Sequence, residues 1–255
     1  MNETRKKDII RLIRHTKGRF LSLTAIITIG VAFFVGVSGS SYMMGKNVDA
    51  YMDETNFRDI TVYSNYGFDE EDIEAIGMIS GVKTAEGSRF VDVFASSSNA
   101  SRLVRIHEYD ENDTLNRFVL REGRLPENAH EAVAEKGTDM FENFKIGDKI
   151  TLTRPDDDLS DYLKVDEVTI VGLIDTPVYI NSTKETSTLS NQYIKSYMYV
   201  PSSEFSMEVD TEVNVLTEKG QSMYAFSDKY EDYISEIKDD IANIGIVQAK
   251  RRSDS

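Results

Sequence analysis

From Phe20 to Gly45 the chain carries no charged side chain, and that run constrains the fold more than any other feature. Its densest stretch is Phe20-Leu21-Ser22-Leu23-Thr24-Ala25-Ile26-Ile27-Thr28-Ile29, continuing through Gly30 to Val37. At about 1.5 Å of rise per residue, roughly 20 apolar residues cross the ~30 Å hydrocarbon core of a bilayer. The run therefore predicts a transmembrane helix over residues 20–38. A buried helix of a soluble protein and a signal peptide cleaved near Ser38-Gly39-Ser40 are the competing readings. The apolar stretch and its basic lead-in are both longer than a signal peptide needs, which favours an uncleaved anchor.

Charge is split across that run. Residues 1–19 hold seven basic residues (Arg5, Lys6, Lys7, Arg11, Arg14, Lys17, Arg19) against Glu3 and Asp8. Residues 20–255 hold 22 Lys/Arg and 42 Asp/Glu, a net of −20. The basic flank is expected to stay in the cytoplasm, with the acidic side beginning at Asp49 and Asp53 outside. A domain this acidic repels phosphate backbones, so no nucleic acid is expected as a partner. Within the lead-in, Ile9, Leu12 and Ile13 fall at i, i+3, i+4 among basic residues. This amphipathic helix would lie on inner membrane lipid, serving either topology alone or contact with a cytoplasmic partner.

The outer segment reads as α+β. The first helix continues outward to about Asn56. Strand patterns follow at Asp59–Tyr63, Arg89–Phe94, Leu103–Ile106, Lys149–Thr153, Glu167–Ile174, Tyr197–Val200 and Glu212–Leu216. A helix begins at the acids after Phe68, buries Ile73, Ile76 and Ile79, and stops near Gly81. Tyr230, Ile234, Ile237, Ile241 and Ile244 recur at spacings of four and three, a heptad seam or an ordinary amphipathic helix. The expected organisation is a cytoplasmic basic segment (1–19), the membrane helix (20–38), an outer domain (39–225) and the start of a coiled-coil stalk (226–255). With nothing evident for the seam to pack on, Ile237→Asp is expected to splay the stalk and leave the domain folded.

Motifs for chemistry are sparse. The chain has no cysteine, which removes disulfides, Cys-ligated zinc and thiolate nucleophiles. Its histidines, His15, His107 and His130, have no HxxxH or HExxH spacing, and the two outer ones read as surface or half-buried. Asp156-Asp157-Asp158 with Asp161 lacks the glycine and closing Glu of a calcium loop and reads as a solvated acidic loop. No Walker loop or Gly-x-Ser-x-Gly elbow occurs. Three glycosylation sequons start at Asn99, Asn112 and Asn181 and are short enough to arise by chance. No catalytic, cofactor-binding or metal residue is assigned, and neither an enzyme activity nor a cofactor is expected.

Several segments in order carry a resemblance. Arg14-His-Thr-Lys17-Gly18-Arg19-Phe20-Leu21-Ser22 and Gly30-Val31-Ala32-Phe33-Phe34-Val35-Gly36 resemble the first membrane helix of FtsX-like ABC-transporter permeases. Arg121-Glu122-Gly123-Arg124-Leu125-Pro126, Lys145-Ile146-Gly147-Asp148-Lys149-Ile150, Val168–Leu173 and Met198-Tyr199-Val200-Pro201 resemble the extracytoplasmic domain of the MacB type. Structurally, Gly123 and Pro126 would set a turn before the strand at 131–135, and Gly147-Asp148 another before Lys149. Gly172 would mark a bulge or a close backbone approach.

The resemblance implies a bacterial cell-membrane permease driven by a separate cytoplasmic ATP-binding subunit, exporting or transmitting force to lipid, lipoprotein or peptide substrates. Such permeases have at least four membrane helices. This chain has one, so the resemblance implies the N-terminal part of such a subunit, completed by further permease helices or a second permease copy. A stand-alone single-pass adhesin or sensor is the alternative. An anchored surface enzyme would require His107 or His130 beside an acid and a serine in one pocket.

Overall fold

The computed structural model describes residues 7, 11, 16–97, 100–137, 144–155, 157–180, 184–187, 189–190 and 192–254. Apart from Lys7 and Arg11, the expected inner amphipathic helix lies outside the described residues, as do Asn99, Asp156 and the sequon at Asn181. The chain divides into two compact units, residues 1–49 and 50–255.

The first unit holds most of one helix, α1 (Lys17–Glu54). It is long and apolar enough to cross a membrane. Its large apolar side chains, among them Leu21, Phe33 and Phe34, are exposed. Among the described residues nothing covers them.

In the second unit α1 ends in a hydrogen-bonded cap. Asn56 takes a left-handed backbone (φ 48°), and the Phe57 N–H reaches back to the Met52 carbonyl at 2.8 Å. This is the geometry by which a left-handed residue satisfies the last carbonyls of a helix, and Asn tolerates it.

Among the described residues ten strands follow, in two sheets. The smaller is antiparallel, in the order β1-β10-β2, built from β1 (Ile60–Phe68), β2 (Val82–Ser88) and β10 (Asp210–Thr217). The larger is mixed and runs β5-β8-β6-β9-β4-β3-β7. Its strands are β3 (Phe90–Ser97), β4 (Ala100–Tyr109), β5 (Val119–Gly123), β6 (Glu131–Glu135), β7 (Lys149–Thr153), β8 (Glu167–Asp175) and β9 (Ser196–Pro201). The start of β8 also pairs with β7, while its end pairs with β5. That extra ladder closes β8-β6-β9-β4-β3-β7 into a barrel and, among the described strands of this sheet, leaves β5 as the free edge, which protects the others from edge association.

Alternation fills the barrel. Val91, Val93 and Ala95 point inward from β3, Val104 and Ile106 from β4, Ile150 and Leu152 from β7, and Met198 and Val200 from β9. Period-two patterning with one face buried is what makes these strands legible in sequence.

The second core lies on the small sheet. Ile60, Phe68, Val213 and Val215 pack against Ile76 of α2 (Glu70–Gly77) and Ile234, Ile237 and Ile241 of α3 (Asp228–Asp254). Asp69 caps α2 by accepting from the Asp72 N–H, while Asp72 returns a bond to the Asp69 N–H, a reciprocal capping box. Ser227 caps α3 by accepting from the Tyr230 N–H at 3.3 Å. The seam therefore has a partner: Ile234, Ile237 and Ile241 are 3–5% exposed against the domain's own sheet. The expectation of a seam with nothing to pack on is corrected. A heptad spacing shows which face of a helix is apolar but not whether a helix or a sheet covers it.

Gly172 sits where β6 and β8 slip register, opposite both Val133 and Gly123. A side chain at Gly172 would run into the Arg124 carbonyl oxygen and the Val133 side chain. Gly172→Ala should lower stability by about 1–3 kcal/mol, the usual cost of overpacking, read as a lower urea midpoint. An unchanged midpoint would mean that the strands yield freely.

Candidate functional site

The small sheet and the barrel meet around a cavity of about 220 Å³. Its floor is polar. Arg58, two residues beyond the α1 cap, points its guanidinium toward Glu212 of β10, with Nη1 at 3.7 Å from Oε1. Asn214, on the same face of β10, donates to that oxygen at 3.2 Å. Arg58 Nη1 and Asn214 Oδ1 are both buried and have no hydrogen-bond partner. Glu212 is 3% exposed. Burial pushes its pKa up, while the positive charge of Arg58 and the bond from Asn214 pull it back.

The walls are apolar and aromatic. Leu115, Leu120, Leu125, Phe118, Val178 and Tyr199 line them. The rim is acidic, with Glu86, Glu108, Asp110, Glu111 and Asp113 around it. Burial lifts the Asp113 pKa to about 6. The Asp110 N–H opposes that, and the charges of Asp110 and Glu86 add to it.

His107 lies in this wall, and the structure corrects its expected place: it is 4% exposed rather than superficial. The register of β4 puts His107 beside Phe90 of β3 and Tyr199 of β9. Its ring stacks on Tyr199 at 5.1 Å, and Nε2 pairs with the Tyr179 hydroxyl at 2.8 Å. Burial holds its pKa well below the ordinary 6.5, and Arg105 and Arg58 push the same way. His130 is exposed, in a left-handed backbone, with Nδ1 at 3.0 Å from the Glu167 carbonyl. The acids of the loop at 156–161 serve structure where described: Asp157 pairs with Arg154 and Asp158 caps a short 3-10 turn.

A neutral buried histidine leaves a signature in pH. Below pH 6.5 the unfolded chain takes up a proton on His107 that the folded chain refuses, so acid destabilises the fold through this residue. Asp113 works oppositely: its raised folded pKa favours the fold as pH falls from 6 toward 4. Comparison with His107→Gln isolates the histidine. The stability advantage of the native protein should shrink by about 1.4 kcal/mol per pH unit below 6.5, measured by urea melts at pH 7.5, 6.5 and 5.5. Parallel pH profiles would contradict a buried neutral imidazole.

Beside the cavity floor, Asp59 joins three segments. Its carboxylate accepts from the Thr217 N–H and hydroxyl at the end of β10, both at 2.7 Å, and from the Tyr230 hydroxyl of α3, also at 2.7 Å. The residues just before it bind the cavity loop: the Asn116 N–H donates to the Asn56 carbonyl at 3.0 Å and the Arg117 N–H to the Thr55 carbonyl at 2.8 Å. The foot of α1, the cavity loop and the first turn of α3 are thus hydrogen-bonded into one junction. The sequence reading missed it, because Asp59 and Tyr230 are 171 residues apart. The only local signal is a lone acid at the start of a strand.

Fold and cavity belong to an α+β domain that follows a long apolar helix. The chain belongs to the MacB-like periplasmic core domain family, whose model matches residues 20–233. The family is a permease component rather than an enzyme class. Among solved structures, the chain is similar to the extracellular domain of the noncanonical ABC-type transporter YknZ from Gram-positive bacteria. That match has 15% identity over 62% of this chain and 82% of that one, with a TM-score of 0.34. The periplasmic region of MacB from Actinobacillus actinomycetemcomitans matches at 10% identity over 75% of this chain and 84% of that one, with a TM-score of 0.33. No curated protein matches.

Proposed function

We propose that this chain belongs to the permease subunit of an FtsX-like, MacB-type ABC transporter and couples a cytoplasmic ATP-binding subunit to events outside the bacterial cell membrane. The family match over residues 20–233 carries the reading. α1 crosses the bilayer with its N-terminus inside, since seven basic residues precede the apolar run and a net of −20 follows. Further permease helices or a second permease copy complete the membrane part, and the basic lead-in rests on membrane lipid. The organisation is a cytoplasmic segment to residue 19, a membrane helix over 20–38 and an outer domain from residue 39 whose core includes the C-terminal helix α3.

The Asp59 junction gives this reading a mechanism. A displacement of α1 driven by ATP reaches Asn56 through a capped helix end. From there it passes by short hydrogen bonds to the cavity loop and to the first turn of α3. Lipids, lipoproteins or peptides are the substrates that such force would move.

Orientation is directly testable because the chain lacks cysteine. Tyr66→Cys, at a side chain 89% exposed, should react with an impermeant maleimide in intact cells, and Lys7→Cys only after lysis. Labelling of Tyr66→Cys only after lysis would place the domain inside and end this reading.

A further inference from the structure

We infer that the last turns of α3 form a latch, which swings at Gly245 and is held against the N-terminus of α2 by the charge of Arg251. The inward face of α3 runs through Tyr230, Ile234, Ile237, Ile241 and Ile244, then continues at the same spacing to Gln248 and Arg251. The isoleucines at 234, 237 and 241 are in the core, whereas the last two positions of the seam are polar. There Arg251 Nη2 donates to Asp69 at 2.6 Å and to Asp72 at 3.3 Å, and Nη1 donates to Glu71. Asp69 and Asp72 form the capping box of α2, so the guanidinium closes over the acidic first turn of that helix. The Asp72 side chain is only 4% exposed, which makes this a partly buried network rather than a lone surface pair.

Gly245 divides the two parts of α3. It is exposed inside the helix, and a Cβ there would meet nothing within 4 Å. Close packing therefore does not explain this glycine, and its consequence is a weak point in the helix. Before it, apolar burial fixes α3 to the small sheet. Beyond it, Ile246 and Val247 are exposed and contribute little burial. Gln248 Oε1 is buried with no hydrogen-bond partner among the described residues, which opposes docking. The ion pairs of Arg251 thus decide whether these turns stay down, and charge, unlike apolar burial, is screened by salt. The latch lies at the opposite end of α3 from the Asp59–Tyr230 bond, and failure of the transport reading would leave it intact.

The test is double electron–electron resonance on the full chain in detergent micelles, and the lack of cysteine allows spin labels at chosen pairs. Glu74→Cys with Val247→Cys reports the last turns of α3, and Glu74→Cys with Glu236→Cys reports its core-docked part; all three positions are exposed. At low salt each pair should give one narrow distance. Arg251→Gln should raise the long-distance fraction of the 74–247 pair at least about threefold, with the 74–236 pair and the melting temperature unchanged. Salt at about 1 M, where the screening length is ~3 Å, should move the native 74–247 pair the same way and have little further effect in Arg251→Gln. Gly245→Ala added to Arg251→Gln should narrow the 74–247 distribution again, because the stiffened helix follows its docked part. Unchanged 74–247 distances in Arg251→Gln would overturn the latch. So would a long distance in the native chain at low salt, equal loosening of both pairs, or a salt response undiminished in Arg251→Gln. A distribution that stays broad with Gly245→Ala would overturn the hinge.

Discussion

Ile237→Asp should unfold the small-sheet half of the domain, with a loss of about 4–5 kcal/mol or more. Ile237 is 3% exposed and packs with Ile60, Phe68, Ile76, Val213 and Val215, which belong to β1, α2 and β10. Its Cδ1 also lies over Gly81, at the turn between α2 and β2. A carboxylate there finds apolar neighbours on every side. The penalty falls on the domain's own core, not on a free stalk. Urea denaturation followed by far-ultraviolet circular dichroism should show the midpoint collapse. Glu236→Lys, one residue away on the exposed face, should shift stability by no more than about 0.5 kcal/mol. A folded domain with only the C-terminal helix lost would restore the stalk reading of the heptads.

Arg105→Leu should cost about 3–5 kcal/mol by stranding a buried carboxylate. Asp92 is 0% exposed and accepts from Arg105 Nε at 2.7 Å and Nη2 at 3.2 Å, with the Ser187 hydroxyl at 3.0 Å. Arg105 also pairs with Glu185 and lies over the Phe90 ring at 4.1 Å. Burial alone would lower the guanidinium pKa, but the bond and charge of Asp92 outweigh it and raise it. The energetic asymmetry follows: a matched pair contributes little net, whereas one unmatched member is expensive. The double variant Asp92→Leu, Arg105→Leu should therefore lose less than Arg105→Leu alone. A double-mutant cycle in urea reads the coupling directly, and strictly additive losses would contradict it.

These two sites show where the sequence was legible. A strand whose inner face alternates cleanly, such as β7 at Lys149–Thr153, was readable to the residue, because period two needs no knowledge of partners. Val82–Ser88 was not. Its Lys83, Thr84, Glu86 and Ser88 mask the pattern, and pairing with β10 makes it a strand. Val119–Gly123 is an exposed edge strand with no buried alternation to detect. Gly172 announced its close backbone approach because few other reasons place glycine inside a strand.

The cavity was harder to see. His107 looked peripheral because its neighbours in sequence, Ile106 and Glu108, say nothing about the outer face of the barrel. That face is covered by Tyr179, Tyr197 and Tyr199, some 70 to 90 positions away. Arg58, Glu212 and Asn214 likewise acquire meaning only once β1 and β10 lie side by side. Apolar periodicity reports burial, whereas convergence of polar groups depends on register, which a single chain does not display.

The most direct measurement is co-isolation. The gene should be expressed in its natural reading frame with its neighbours, the chain tagged, and the complex recovered in mild detergent. The permease account predicts an ATP-binding subunit in stoichiometric amount. Recovery of the tagged chain alone, intact and folded, would contradict it.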